Sequence, residues 1–517
     1  GAAEAAAQDS PGAAPEDRLR TAILHGEAGA AARAAREAAG HPPVTSLVAS
    51  AMSEVGARFS AGDLPLPRVL RSAEAAQAAL GELTPGSEVQ GPGRGTVVMA
   101  TVKGDLHDIG KNLTGLILGG SGYRVVDLGT DVGIERLLAA VRKEGAAALG
   151  LSGLLTRSLQ EMRKAARALG DSGSEALLLL GGAAVDPRFV EAELAPLHPG
   201  RVRACADAFE ALRVLAKDRE PGAADPAPEP AMGPAMGPVA APPAAEASGS
   251  PSDAGPALPG SPAPDGRERS RIPGLPPTPP WNPPFLGSRP ADGLSPEELF
   301  AALDRKTLLQ VRWGFGRRGR EEAEEAFERI SGLARSRGLC RAAGVYGYFS
   351  CEHRGSGLLR VDDGRGGARE FRFPGAGGPG GPTIAAYFDG PSAVIPFFAV
   401  TAGPELSRAA AELRASGDQR EYFLLHGLAA ALAEAAAEVL HRRIGRELEA
   451  AGAGTAGRRY SFGFPGCPGV EFQGELLGLL GADRVGIGVT EGHQLTPEFS
   501  VTAFVVPRPD AEYFSPP

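Results

Sequence analysis

Asp105 and His107 stand two residues apart in Lys103-Gly104-Asp105-Leu106-His107-Asp108-Ile109-Gly110-Lys111-Asn112. An imidazole offers one ring nitrogen to a metal, and a nearby carboxylate takes the proton on the other. That pairing fixes the tautomer and raises the basicity of the ligating nitrogen. A D-x-H pair alone reads better as an exposed loop histidine and a helix-capping aspartate. Here the pair extends to D-x-H-x-x-G and directly follows the apolar, β-branched run Val97 to Val102, which reads as a buried parallel strand. A helical pattern (Leu113, Ile117, Leu118) begins just after Gly110. A strand-to-helix turn of this kind lies at the carboxyl edge of an open α/β sheet, where such folds bind ligands.

Elements that would position the pair recur along the chain. Strands are expected at about 96–102, 123–128, 147–151, 176–180 and 201–205, alternating with helices, as in successive right-handed βα units. Gly150-Leu151-Ser152-Gly153-Leu154, with Thr156 and Ser158, ends one strand, and Leu178-Leu179-Leu180-Gly181-Gly182 ends the next. Asp207 is the expected N-cap of a closing helix that starts at Ala208. This combination resembles the cobalamin-binding domain of cobalamin-dependent methionine synthases and related corrinoid proteins. The resemblance covers about Thr96 to Lys217. It implies that His107 replaces the cofactor's own lower base on cobalt, with Asp105 and Ser158 completing a hydrogen-bonded relay. It places the cofactor against Gly104, Asp105, Leu106, His107, Asp108, Ile109 and Gly110, and its released tail along Ser152, Leu154, Thr156, Ser158, Gly181, Gly182 and Ala208.

Before this domain, residues 1–16 are Ala/Gly/Pro-rich and expected to be disordered. Residues 17–86 carry helical spacing (Leu19, Ile23, Leu24; Leu47, Met52, Val55, Phe59; Val69, Leu70, Ala73, Leu80), cut by Gly and Pro into about four helices. This part resembles the helical cap of the same family, which implies that Phe59 and Leu66 cover the cofactor's upper face. The cobalamin-type domain is set at 93–218. From 219 to 282 the composition turns to Pro, Ala, Gly and Ser, a disordered tether unable to bury a core.

Residues 283–517 read as an α+β domain. Helices are expected at 296–304, 318–337, 405–415 and 420–450, with a capping box at Ser295-Pro296-Glu297-Glu298. Ala343–Ser350 and Gly357–Asp362 alternate like a hairpin, and Ala385–Phe388 and Val394–Val400 read as inner strands. Arg459-Tyr460-Ser461-Phe462-Gly463-Phe464-Pro465-Gly466-Cys467-Pro468 resembles the R-x-x-x-G-Y-P-A-C-P segment of the methionine synthase activation domain, which binds S-adenosylmethionine. Phe464 stands where the family has Tyr, and Gly466 where it has Ala. The resemblance implies that Asp304 takes the ligand's amino group and Arg459 its carboxylate. It places Glu434, Ser461, Tyr513 and Phe514 at the same site. A zwitterionic ligand needs both an acid and a guanidinium, and Arg pairs with a carboxylate at two points.

The overall expectation is a multidomain chain: helical cap bundle, Rossmann-like (flavodoxin-like) parallel sheet, disordered linker and α+β activation domain. Net charge is −9, and no Lys/Arg stripe marks a nucleic-acid partner. No continuous apolar run approaches the ~20 residues of a membrane helix, and no secretory signal is evident, so the expected compartment is the cytoplasm. The four cysteines form no C-x-x-C pair, which fits a reducing compartment and suggests no zinc or iron–sulfur site.

The resemblance implies the C-terminal half of a methyltransferase. In it methylcobalamin would pass a methyl from methyltetrahydrofolate to homocysteine, and S-adenosylmethionine with a flavodoxin-type electron donor would restore the oxidised cofactor. The homocysteine- and methyltetrahydrofolate-binding domains, and the zinc of the former, would lie upstream or on a separate subunit. The alternatives are a corrinoid carrier for another methyl donor and a cobalamin-binding sensor. The sensor reading lacks a basic recognition helix and leaves residues 283–517 without a role.

Overall fold

The computed structural model describes residues 14–38, 43–61, 63–82, 94–105, 108–154, 158–182, 184–219, 281–315, 319–375, 381–390, 393–416 and 418–512. The expected tether over 219–282 lies almost entirely outside the described residues, as does most of 1–16. Packing divides the chain into two units. The first is Gly1–Ala240 with Lys306–Phe327 and Ser416–Leu424; the second is Ala241–Arg305, Glu328–Ala415 and Leu425–Pro517.

The first unit opens with four helices, α1 (Pro15–His25), α2 (Ala28–Glu37), α3 (Val44–Ser60) and α4 (Leu66–Gly81). Helix α1 starts two residues before the boundary expected from composition. Pro15 supplies the fixed φ of a first helical turn, and Glu16 and Asp17 face the positive end of the helix dipole. Leu19, Ile23, Met52, Val55, Val69, Leu70, Ala73 and Leu80 are all buried, as their spacing predicts. Gly26 ends α1 at φ 73°, where a side chain would run into Cβ of Arg71 on α4.

A five-stranded parallel sheet follows: β1 (Thr96–Thr101), β2 (Arg124–Asp127), β3 (Ala148–Ser152), β4 (Leu177–Gly181) and β5 (Val202–Ala204). The order is β2-β1-β3-β4-β5. Between the strands run α5 (Ile109–Gly120), α6 (Ile134–Glu144) and α7 (Ser158–Asp171), and α8 (Ala208–Arg219) closes the series. Helix α5 starts at Ile109, ahead of the start expected just after Gly110, with Asp108 as its N-cap residue. Burial on both faces explains the unbroken apolar strands. Val98, Ala100, Leu149, Leu151, Leu178 and Leu180 pack on one side, and Val97, Met99, Ala148, Leu177 and Leu179 on the other. Asp207 Oδ1 accepts the Glu210 N–H at 2.8 Å, the expected N-cap of α8.

In the second unit β6 (Gly287–Pro290), β7 (Ala343–His353), β8 (Leu358–Asp362), β9 (Ala368–Arg372), β10 (Val394–Thr401), β11 (Arg458–Ser461) and β14 (Ser500–Val506) form a seven-stranded sheet. Its main path is β11-β14-β10-β7-β8-β9, with β6 on β7. A separate two-stranded ladder joins β12 (Gly488–Val489) to β13 (Leu495–Thr496). Helices α9 (Pro296–Ala302), α10 (Arg320–Ser336, with 328–336 in this unit), α11 (Pro404–Ala415), α12 (Gln419–Ala450, with 425–450 in this unit) and α13 (Gln473–Leu480) accompany the sheet. The capping box forms as expected: Ser295 Oγ accepts from Glu298 N at 3.2 Å, and Ser295 N donates to Glu298 Oε2 at 3.3 Å.

Residues 385–388 are not a strand. Ile384–Phe388 is a turn of 3-10 helix with every residue buried. A short apolar run enclosed on all sides carries no periodicity to separate strand from helix. The expectation about apolar length also needs refining. Among the described residues α12 is long and apolar enough to cross a membrane, although Glu434 and Glu438 interrupt the run and 67% of its apolar window is buried inside the protein. Glu447 near its end accepts hydrogen bonds from Tyr346 OH at 2.7 Å and Tyr348 OH at 2.9 Å, fastening the helix to β7.

Gly347 pairs with Ser288 across β6 and β7. A Cβ there would lie 2.2 Å from the Gly287 carbonyl oxygen and 2.8 Å from Ser288 Cα. Backbone cannot yield as a flexible side chain does, so Gly347→Ala should displace β6 and destabilise the second unit by about 1–3 kcal/mol. Urea unfolding followed by tryptophan fluorescence checks this; an unchanged midpoint would contradict the packing.

Candidate functional site: the carboxyl edge of the parallel sheet

Strand order sets the location. From β1 the chain crosses to β2 on one side, while β3 lies on the other, so the connections diverge between the ends of β1 and β3. A crevice opens at such a switch point. Thr101, Ser152 and Gly181 stand in one row at this edge, through the pairings Thr101–Ser152 and Ser152–Gly181.

Asp105 follows β1 on a turn made by Gly104 at φ 79°. Gly104 N donates to Asp131 Oδ1 at 2.7 Å, and Asp131 N donates to the Asp105 carbonyl at 3.1 Å, which pins the turn to the loop after β2. The Asp105 side chain is fully buried. Its Oδ2 accepts from the Leu154 backbone N–H at 2.7 Å and from Ser158 Oγ at 2.8 Å. Ser158, also fully buried, is the first residue of α7. Two elements separated by about fifty positions in sequence thus meet on one carboxylate oxygen.

Glycines make the approach possible. A Cβ on Gly153 would sit 2.5 Å from Ser158 Cβ, and one on Gly182 would sit 2.1 Å from the Gly153 carbonyl oxygen. Gly182 also has φ 114°, a conformation glycine adopts without strain. Gly153 N donates to the Gly181 carbonyl at 3.1 Å, joining the ends of β3 and β4.

Of the sequence-derived set, the structure brings together Asp105, Leu154 and Ser158, with Gly153, Gly181 and Gly182 beneath them. Ser152 closes β3, and Ala208 is buried at the start of α8. Asp108 is buried and caps α5 by position; its Oδ1 accepts from Tyr422 OH at 2.7 Å. Gly110 is exposed in the first turn of α5, and Ile109 begins that helix. Leu106, His107 and Thr156 lie outside the described residues.

The Phe59 ring packs on Phe209 of α8 with centroids 5.7 Å apart, and Leu66 is buried near Gly314. Tyr422 and Lys111 were not among the expected residues. Lys111 is almost fully buried, bonded to Asp127 and, at 2.6 Å, to Asn112 Oδ1. A lysine one residue after the motif glycine was the available signal. For Tyr422, more than three hundred positions away, there was none.

The second constellation lies in the second unit. Arg459 on β11 donates through Nη2 to Glu434 Oε2 of α12 at 3.0 Å, so the guanidinium and one expected acid meet directly. Ser461 ends β11 opposite Ala503. The following turn is held by Gly463 N to the Pro468 carbonyl at 2.8 Å and Cys467 N to the Phe464 carbonyl at 3.0 Å. Gly466 has φ 76°, so glycine there supplies a left-handed backbone and does more than omit a methyl. Phe464 is exposed, whereas Cys467 is buried, and burial pushes its thiol up to about 12. That thiol is a packing group, with negligible thiolate near neutral pH. Asp304 is exposed ahead of the turn at Thr307–Arg312. Tyr513 and Phe514 lie outside the described residues.

Comparison with known proteins adds three family matches: a B12 binding domain over 95–212, a second B12 binding domain over 15–84, and the vitamin B12 dependent methionine synthase activation domain over 384–516. A methionine synthase of Mycobacterium tuberculosis (strain ATCC 25618 / H37Rv) is 32% identical over 512 residues, covering 90% of this chain and 42% of that protein. One from Mycobacterium leprae (strain TN) is 32% identical over 555 residues, covering 96% and 46%. The chain therefore spans less than half the length of these relatives. Among solved structures, a cobalamin-binding protein from Desulfitobacterium hafniense DCB-2 is 27% identical, covering 39% of this chain and 97% of that one, with a TM-score of 0.33.

The buried junction gives a direct prediction. Gly182→Ala should press its methyl into the Gly153 carbonyl and destabilise the first unit by about 1–3 kcal/mol. Thermal unfolding of the purified chain measures this; a Tm equal to that of the unaltered protein would contradict the close approach.

Proposed function

We propose, for a chain that carries the B12-binding domains and the activation domain of the vitamin B12-dependent methionine synthases, that it holds cobalamin at the carboxyl edge of its parallel sheet and restores it with S-adenosylmethionine. The observation that supports this most is the buried Asp105 carboxylate, bonded to Leu154 N and Ser158 Oγ at the switch point between β1 and β3. The residues fit such a cofactor. A buried carboxylate with a hydroxyl behind it can accept and relay the proton of a ligating imidazole. When bound, cobalamin supplies a cobalt centre able to take up and give away a methyl group.

In this reading His107 would ligate the cobalt. Asp105 would accept its other ring N–H, and Ser158 donates to Asp105, so a proton could be held or released away from the metal. The backbone donor from Leu154 keeps the carboxylate fixed whether or not the imidazole is engaged. Leu154 and the glycines at 153, 181 and 182 line the path proposed for the cofactor's tail. Phe59 and Leu66 of the helical part are the residues proposed to exclude water from the upper face. At the second site Arg459 binds the carboxylate of S-adenosylmethionine, and Asp304 its amino group. Glu434 would hold the guanidinium until the ligand arrives, an exchange of one carboxylate partner for another.

The whole reaction proposed is methyl transfer from methyltetrahydrofolate to homocysteine in the cytoplasm. The two substrate-binding domains would be supplied from elsewhere, and a flavodoxin-type protein would give the electron for reactivation.

Two measurements test this reading. Cobalamin added to the purified full chain should give a visible spectrum with the lower nitrogen ligand on, and His107→Ala should move it towards the ligand-off form. Coincident spectra would remove His107 from the metal. In isothermal titration with S-adenosylmethionine, Arg459→Ala should weaken binding roughly ten- to a hundredfold. Arg459→Lys should recover only part of that, because an ammonium cannot make the planar two-point contact. Equal affinities across the three proteins would exclude Arg459 from the site.

A further inference from the structure

Strand β2 ends at Asp127, yet the loop that follows stays tied to β1. Leu128 N donates to the Met99 carbonyl at 2.9 Å, Thr101 N to the Gly129 carbonyl at 2.9 Å, and Val132 N to the Thr101 carbonyl at 3.1 Å. Val102 and Val132 form a parallel bridge beyond them. The loop therefore runs beside the exit of β1, where the chain turns towards Asp105.

From there it grips the motif at both ends. At the front, Asp131 Oδ1 accepts from Gly104 N at 2.7 Å, and Asp131 N donates to the Asp105 carbonyl at 3.1 Å. One residue thus brackets the dipeptide Gly104-Asp105 with its side chain and its main chain. At the back, Asp127 pairs through Oδ2 with the ammonium of Lys111 in the first turn of α5, whose side chain is 1% exposed. The other oxygen of Asp127 accepts from Gly129 N at 2.8 Å, which fixes the loop to its own strand.

Asp131 is the unusual member of this set. Its φ is 55°, in the left-handed region, and it is exposed. Glycine meets such a position with least strain, and burial gives no reason for a larger residue. What aspartate adds is the carboxylate oxygen on Gly104 N. A non-glycine residue held in this region points to a local task for its side chain.

We infer that Asp131 is a positioning residue for the proposed cobalamin site, fixing Gly104-Asp105 so that the buried Asp105 carboxylate meets Leu154 N and Ser158 Oγ in one orientation. The donors to that carboxylate follow β3, on one side of β1, and Asp131 follows β2, on the other. Asp105 is therefore held from both neighbours of its own strand. The inference rests on the proposed cobalamin function and adds to it a residue that acts only through Asp105.

The test is isothermal titration of the full chain with hydroxocobalamin, with Tm recorded for every variant. Asp131→Gly keeps a backbone that adopts this φ freely and loses only the acceptor, so it should weaken binding by roughly three- to tenfold. Asp131→Asn keeps an acceptor oxygen and tolerates the left-handed region, so it should bind within about twofold of the unaltered chain. In an Asp105→Ala background Asp131→Gly should cause no further loss, because its effect passes through Asp105. An affinity for Asp131→Gly equal to that of the unaltered chain overturns the inference and leaves the cobalamin reading standing. So does an Asp131→Asn variant as weak as Asp131→Gly, or a loss that persists undiminished without the Asp105 side chain. An unaltered chain that binds no hydroxocobalamin would sink the cobalamin reading, and this inference with it.

Discussion

A carboxylate buried without water must have its charge answered by donors, and the first unit is arranged around that requirement. Asp105 has no exposure, and desolvating an ionised carboxylate costs several kcal/mol unless it is hydrogen-bonded. The Leu154 N–H and Ser158 hydroxyl meet the need at 2.7 and 2.8 Å. Bringing them there requires glycine at 153, directly after β3, since any side chain would strike Ser158. It also brings the end of β4 close enough that Gly182 accepts no side chain either. The glycines are thus consequences of one buried charge, and the same charge is what a ligating imidazole needs beside it.

The sheet itself was legible because burial on both faces writes itself into sequence. The inner runs that became β1, β3 and β4 are almost wholly apolar, and all five expected segments proved to be strands to within about two residues. The four N-terminal helices were legible for the complementary reason, an apolar stripe broken by Gly and Pro. In the second unit the strands Ala368–Arg372 and Arg458–Ser461 resemble polar loops, because they lie at sheet ends and carry charged residues. At Ile384–Phe388 total burial removed the signal that separates helix from strand.

Site residues divide in the same way. Asp105 and Ser158 were legible because each follows a recognisable strand, so topology placed them on one edge. The partnership of Arg459 with Glu434 was not legible, although both were named. Their meeting depends on how α12 lies against β11, and no local pattern encodes that. Tyr422, bonded to Asp108 across more than three hundred residues, is the extreme case. Local chemistry reads from sequence, while pairings between distant elements require the fold.

The central claim is that a nitrogen of this protein, held by the Asp105–Ser158 pair, ligates the cobalt of bound cobalamin. Electron paramagnetic resonance of the cob(II)alamin-loaded full chain, produced with and without nitrogen-15 histidine, tests it most directly. The account predicts that labelling converts the axial-nitrogen splitting from a triplet to a doublet, because the ligand is a protein imidazole. A triplet that persists in the labelled protein would show that the cofactor kept its own base, and would contradict the account.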